Sequence, residues 1–290
     1  MTSTIEAPDV QAEMVDVAGA QVAVRRRGSG RPLVYLHGAG FTGKWLRVHE
    51  ALAAGADVIA PEHPGFGSSP DSEDIEGFDD LVLHYDDLRA RFGIDQPFDL
   101  VGYSLGGWIA AAYAVTYPDR LRSLTLIVPA GLAPPVVDFF AMEPEQIFMT
   151  LFNDFANVGE VMVDPNDIDV AVHMYEEAST AAKLAWNPRY DRKLPRRLRR
   201  VTCPTLIVGA ENDRLLGDEP CDLYTALIAG ATLVRIPGTG HALPIEQPEA
   251  AAQAILDFQE RAGEARPVTR DGMSSKAVTA RGRMPRGGNS

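Results

Sequence analysis

Two periods of apolar positions alternate along this chain. Residues 14–17 and 21–26 place apolar side chains at every second position around Ala18-Gly19-Ala20, the pattern of a hairpin with one buried face. Six other short runs are apolar almost throughout: residues 32–36, 57–60, 98–101, 124–128, 205–209 and 233–236. They are too short for buried helices and rich in Val, Ile and Leu, so they read as strands covered on both faces. Between them the period lengthens. Residues 78–92 set Phe78, Leu81, Val82, Tyr85, Leu88 and Phe92 three or four apart, which is one stripe of an amphipathic helix. Residues 45–53, 108–114, 221–229 and 248–260 also read as helices, and Pro118 closes the second of these.

Strands alternating with helices predict an α/β fold: a mostly parallel, twisted sheet with helices on both faces. The alternation stops after the sixth strand. From 131 to 200 apolar residues cluster at Phe139, Phe140, Met142, Phe148, Met149, Phe152 and Phe155, and helical runs follow at 168–175 and 176–184. The expected organisation is therefore a core of residues 10–130 and 201–261 with a helical unit, 131–200, inserted into it. Residues 1–9 are polar and expected to be loose. Residues 262–290 are Arg-, Gly- and Ser-rich, and are expected to be a disordered tail or a remnant of processing or expression. Ligands of parallel sheets bind at the carboxyl ends of the strands. His37, Ser104 and the stretch after Gly209 all follow such ends, and the insertion would roof the same edge.

Composition narrows the partners. With 290 residues, 46% of them hydrophobic, the chain can bury one large domain with an insertion, or two domains. A net charge of −13 opposes nucleic acid and anionic membranes, so neither is expected as a partner. A small-molecule substrate is expected, and a homo-oligomer stays open. Cys203 and Cys221 show no metal or redox spacing, which fits a reducing compartment without disulfides. The first ten residues lack an apolar leader and no apolar run is long enough to span a bilayer, so a cytoplasmic protein is expected. No two histidines have ligand spacing with a carboxylate, so no metal is expected.

The chemistry centres on Gly102-Tyr103-Ser104-Leu105-Gly106, between a predicted strand and a predicted helix. In that context G-x-S-x-G makes a sharp turn that lifts the serine hydroxyl above the sheet edge. Glycines leave room for the turn, and the helix N-terminus offers unpaired amides where an oxyanion would form. So short a pattern also arises by chance, and a serine hydroxyl is a weak nucleophile near pH 7. It needs a base, and the base needs an orienter. His241 follows the last predicted strand and Asp213 the one before it, in the chain order Ser, Asp, His that this architecture uses. Taken singly, a loop histidine and a turn aspartate are ordinary; together, at three strand ends, they form a catalytic set. Glu211 is the competing acid, and Asp138 lies inside the insertion. His37 and His63 read as structural residues of their turns. The basic run 189–200 reads as a solvated return linker.

These motifs resemble the α/β-hydrolase family over roughly residues 22–258. His37-Gly38-Ala39-Gly40 resembles its oxyanion loop, H-G-x-G. His63-Pro64-Gly65-Phe66-Gly67-Ser68-Ser69 resembles its loop after the fourth strand, where the family usually has Asp or another residue at the position of Glu62 or His63. Residues 131–200 sit where the family inserts a helical cap. The resemblance implies an α/β-hydrolase fold capped after the sixth strand and an oxyanion hole from the N–H groups of Ala39 and Leu105. It implies no cofactor. The expected activity is that of a serine hydrolase cleaving a carboxylic ester or related acyl compound, small to medium in size and largely apolar. Haloalkane dehalogenases and epoxide hydrolases of the family resemble this chain with Asp at the nucleophile, so Ser104 argues against both. Its carbon–carbon hydrolases of ring-cleavage products usually carry Gly-Pro-Gly where Phe41 and Thr42 here follow Gly40. That activity is the alternative, beside a non-hydrolytic ligand-binding protein, a lyase or an acyltransferase of the same fold. Phe41, Phe139, Phe140, Phe148 and Phe152 are expected to line the substrate pocket, although the same cluster would suit the core of a cap.

Overall fold

The computed structural model describes residues 7–164 and 167–264. Eight strands form one sheet: β1 (Glu13–Val17), β2 (Ala20–Gly28), β3 (Pro32–Leu36), β4 (Asp57–Pro61), β5 (Phe98–Tyr103), β6 (Leu121–Ile127), β7 (Thr205–Ala210) and β8 (Thr232–Ile236). Their spatial order is β1-β2-β4-β3-β5-β6-β7-β8. The pairs β1–β2 and β2–β4 are antiparallel, and the rest of the sheet is parallel. From β3 the chain moves to β4 on one side and then returns to β5 on the other. The edge between β3 and β5 is thus a topological switch point, where the loops diverge and leave a crevice.

The doubly apolar strands have the cover they require. Val34, Leu36, Leu100, Leu124, Leu126 and Ile207 face one core with helices α2 (Phe78–Arg91) and α3 (Leu105–Thr116). Leu33, Tyr35, Val58, Val101, Leu206 and Val208 face the other, with α1 (Arg47–Ala53) and α9 (Pro248–Glu264). Successive residues of a strand point to opposite faces, so a single apolar run supplies both cores. α9 runs to Glu264, past the expected boundary at 261. The expectations for residues 1–6 and 265–290 lie outside the described residues.

Between β6 and β7 the chain makes the long excursion that broke the alternation. It carries α4 (Pro144–Leu151), α5 (Ile168–Ala185) and the short α6 (Leu194–Arg197). The runs expected at 168–175 and 176–184 are one continuous helix, α5. Two further helices, α7 (Glu219–Leu227) and α8 (Leu243–Glu246), flank β8. Among the described residues no helix is long and apolar enough to cross a membrane. Nor does any group of three or more His, Cys, Asp or Glu among them suit a metal ion. Cys203 and Cys221 are free and buried, and burial pushes each thiol up to about 12.

Beside His241, four histidines are buried: His37, His49, His63 and His84. Burial is the largest cause that lowers each of their pKa values, to about 3 for His49 and about 4 for His84. The unfolded chain binds protons at these sites from about pH 6.5 downward, whereas the folded chain keeps them neutral. The stability is therefore fully present above that pH and is lost as pH falls toward about 4 for His84 and about 3 for His49. Each such histidine contributes a slope of about 1.4 kcal/mol per pH unit. Urea unfolding at pH 7.5 and 5.5 is expected to show a markedly lower free energy at the acid value, with a shallower fall in His84→Gln. Equal stability at the two pH values would contradict the neutral burial of this group.

Candidate active site

The turn after β5 is built by close backbone approach. A Cβ on Gly102 would meet Gly106 O, and one on Gly106 would meet Leu36 O, so neither position admits a side chain without the turn opening. Ser104 itself has φ +52° and ψ −111°, outside the regions that L residues favour. Its backbone is held in place: Ser104 N donates to Ile127 O at 2.9 Å, and Ser104 O accepts from Trp108 N at 3.2 Å and Ala130 N at 3.1 Å. Leu105 is the first residue of α3, so its N–H has no carbonyl within the helix to bond.

The loop after β3 closes against this turn. A Cβ on Gly38 would lie 2.9 Å from the Tyr103 ring, so a glycine lets Ala39 come alongside Ser104. Two histidines brace the loop. His63 N donates to His37 Nε2 at 2.9 Å, and His63 Nε2 donates to His37 O at 2.8 Å. Tyr85 OH then bonds His63 Nδ1. This pattern requires the His37 ring to be neutral and is satisfied by a neutral His63 accepting from Tyr85 OH, in agreement with the downward shift that burial imposes on both. Glu62 adds a second brace: its carboxylate accepts from Gly43 N at 3.0 Å and also bonds Ser68 N and Arg25. The two histidines are thus structural residues of their turns, tied to one another across the ends of β3 and β4.

Asp213, His241 and Ser104 come together. His241 Nδ1 lies 2.8 Å from Asp213 Oδ2, and His241 Nε2 lies 2.8 Å from Ser104 Oγ. The network is satisfied when Nδ1–H donates to the carboxylate and Nε2 accepts from the hydroxyl. The other carboxylate oxygen, Asp213 Oδ1, accepts from Leu215 N and Leu216 N, each at 2.9 Å. Burial opposes the charged form of Asp213; the adjacent imidazole, its hydrogen bond and the two amides outweigh it and leave the pKa lowered. Glu211 points elsewhere and accepts from Gly238 N at 2.8 Å. Tyr103 OH donates to His241 O at 3.0 Å, fixing the histidine's backbone to the serine's strand.

A cavity opens in front of this group, with Ser104, His241, Ala39 and Leu105 in its wall and a volume of about 90 Å³. Phe41, Phe139 and Phe140 line it, as expected. Phe148 and Phe152 are not among the lining residues. Phe152 is completely buried and packs on Phe41, Phe148 and Phe155 at centroid distances of 5.7, 4.8 and 6.0 Å. These two pack the excursion onto the core: they lie at the C-terminal end of α4, where the neighbouring Leu151 reaches the cavity and the two rings join the core. Other lining residues carried no signal in the sequence: Trp108 on α3, Ala181 and Ala185 on α5, Leu215 and Leu216 after β7. Arg189 corrects a second expectation. It belongs to the basic run read as a solvated linker, yet it lines the cavity and pairs with Asp138 at 2.9 Å.

Comparisons with known proteins agree with this arrangement. The profile described as Alpha/beta hydrolase family matches residues 33–254. The 2-hydroxy-6-oxo-6-(2'-aminophenyl)hexa-2,4-dienoic acid hydrolase of Metapseudomonas resinovorans is 28% identical over 85% of this chain and 90% of its own length. Monoacylglycerol lipase ABHD6 of Homo sapiens is 24% identical over 80% of this chain and 76% of its own. Among solved structures, a serine hydrolase involved in carbazole degradation (CarC enzyme) superposes with a TM-score of 0.74 at 25% identity, covering 87% of this chain and 99% of that one.

The two classes of phenylalanine separate by stability. Phe152→Ala is expected to lower the unfolding free energy by about 3–5 kcal/mol, as for a fully buried aromatic. Phe140→Ala, at a partly buried position on the cavity wall, is expected to cost much less. Urea denaturation of both variants checks this, and equal losses would place the two rings in the same environment.

Proposed function

The chain belongs to the alpha/beta hydrolase family, and on that footing we propose that it is a serine hydrolase of carboxylic esters or related acyl compounds. The observation that carries this reading is the continuous hydrogen-bonded chain from Asp213 through His241 to Ser104, ending at an apolar cavity. Ser104 Oγ attacks the carbonyl carbon while its proton passes to His241 Nε2. Asp213 holds the imidazole and balances its charge. The N–H groups of Ala39 and Leu105 stabilise the oxyanion. His241 then gives the proton to the leaving group, and a water activated by the same nitrogen clears the acyl-enzyme. Apart from the substrate and that water, every group these steps use belongs to the chain, so they call for no cofactor. Residues 131–200 act as the cap that shapes the substrate pocket, and residues 10–130 and 201–261 as the core that carries the chemistry.

The wall supports a small or slender apolar acyl group. A second reading rests on Arg189, the one Arg or Lys among the lining residues. A guanidinium there suits a substrate with an acid end, as in the dienoic acid named for the Metapseudomonas resinovorans relative. The same serine and histidine would then cleave a carbon–carbon bond beside a ketone. Turnover of p-nitrophenyl esters and of vinylogous diketone acids, compared in wild type and Arg189→Ala, separates the readings. Loss confined to the acid substrates favours the second.

Ser104→Ala is expected to lower turnover by about 10³-fold or more with the fold intact. Wild-type rates in that variant would remove Ser104 from the nucleophile's role. Asp213→Asn is expected to lose about 10³–10⁴-fold, because an amide favours the wrong imidazole tautomer. Glu211→Gln, which alters a carboxylate bonded to Gly238 N instead, is expected to stay within about twofold of wild type. Comparable damage in Glu211→Gln would reassign the acid.

A further inference from the structure

The loop that carries His241 sends its hydrogen bonds outward. Ala242 N donates to Leu151 O, at the end of α4, at 2.9 Å. Gly240 N donates to Glu246 Oε1 at 2.9 Å. The same Oε1 accepts from Asn153 N at 3.2 Å, and Oε2 accepts from Asp154 N at 2.9 Å. Glu246 is 2% exposed, so one buried carboxylate on α8 satisfies three backbone donors. One of them adjoins His241 and the other two belong to the excursion just past α4. Asn153 Nδ2 also donates to Gly238 O at 2.8 Å, and Asn157 Nδ2 to Glu246 O at 2.9 Å. The surfaces meet backbone to backbone: a Cβ on Gly240 would lie 2.7 Å from Leu151 O, 2.8 Å from Asn153 N and 3.0 Å from Glu246 Oε1.

We propose that Glu246 is a positioning residue whose carboxylate couples the seating of residues 151–154 to the placement of His241 against Ser104. The inference rests on the serine hydrolase reading and adds to it where the base takes its alignment from. Both sides of the site have anchors in the core and in the excursion: the oxyanion side is braced by His37, His63 and Glu62 and also bonds Glu177 of α5 through Thr42 and Gly67, while the base side is held by Tyr103 OH at His241 O. The base side's link to the excursion runs through Glu246. When residues 151–154 lift, Glu246 loses the donors Asn153 N and Asp154 N, Ala242 N loses Leu151 O, the carboxylate is free to turn from Gly240 N, and the imidazole loses its register. Reseating restores all of them. Proton transfer is thereby favoured while residues 151–154 are seated.

Glu246→Gln preserves the shape and removes one acceptor. Its NH₂ must face either Asp154 N or the Gly240 and Asn153 pair, so donor meets donor on one side of the seam. Gly240→Ala strains the same seam from the opposite side and serves if the first variant does not fold. Lys183→Ala is the control: it removes the ion pair with Asp71, another contact between excursion and core, remote from the histidine loop. Proton NMR provides a readout that needs no substrate, the downfield Nδ1–H of His241, assigned by its loss in Asp213→Asn. The resonance is expected to be sharp in wild type and Lys183→Ala, and broadened or lost in Glu246→Gln and Gly240→Ala at nearly unchanged melting temperature. With p-nitrophenyl acetate, kcat is expected to fall about tenfold or more in those two variants while KM changes by less than about threefold. An unbroadened resonance with wild-type kcat in Glu246→Gln overturns the coupling. Equal loss in Lys183→Ala also overturns it, by showing general loosening in place of a specific route. A wild type that turns over no ester defeats the hydrolase reading, while the resonance still decides the coupling.

Discussion

Two backbone turns, at the ends of adjacent parallel strands, have to touch. β3 and β5 lie side by side at the switch point of the sheet, and the loop after one rests on the turn after the other. Gly38, Gly102 and Gly106 are the positions where that contact leaves no room for a Cβ. Ser104 sits in a backbone conformation that costs of the order of 1–3 kcal/mol. It is kept there by hydrogen bonds to Ile127, Trp108 and Ala130 and by the two cores packed on the sheet. With Ser104 Oγ fixed, the imidazole has one place from which to reach it, and the carboxylate one place from which to orient the imidazole.

The groups around the serine are supported from both the core and the excursion. Ala39 lies in a loop cross-braced by neutral histidines and by the buried carboxylate of Glu62, and Thr42 of the same loop bonds Glu177 of α5. His241 is held to the serine's strand by Tyr103 OH, and its loop's amides are satisfied by Leu151 O and by a carboxylate shared with Asn153 and Asp154. The excursion therefore bears on both the oxyanion loop and the base. The relatives named as a dienoic acid hydrolase and a monoacylglycerol lipase share this family. The fold therefore leaves the substrate to the cavity wall, which here includes Arg189, Phe139 and Phe140.

The strand and helix pattern was legible because it depends on local geometry. Side chains alternate along a strand and recur every three or four positions along a helix, whatever they pack against. So the eight strands, the excursion after the sixth and the three chain positions of Ser104, Asp213 and His241 could be read directly. Catalytic groups on a parallel sheet stand immediately after strand ends, and strand ends are local features. The preference for Asp213 over Glu211 came from a family pattern, and the geometry places the two carboxylates on different partners.

Contacts across the fold were not legible. Phe139, Phe140, Phe148 and Phe152 are alike in sequence, yet two line the cavity and two pack the excursion onto the core, with Leu151 between the later pair facing the cavity. Arg189 was hidden in a basic run whose other members give no hint of a cavity. Nothing in the sequence singled out Glu246. Its burial follows from three amides, two of them about ninety residues away in the chain. What the sequence determined alone was the periodic structure and the order of groups along it. Which face each excursion residue turns, and which buried carboxylate closes which amides, was decided by tertiary structure. Hydrogen bonds and side-chain contacts depend on distances of a few ångströms in space, and separation along the chain does not encode them.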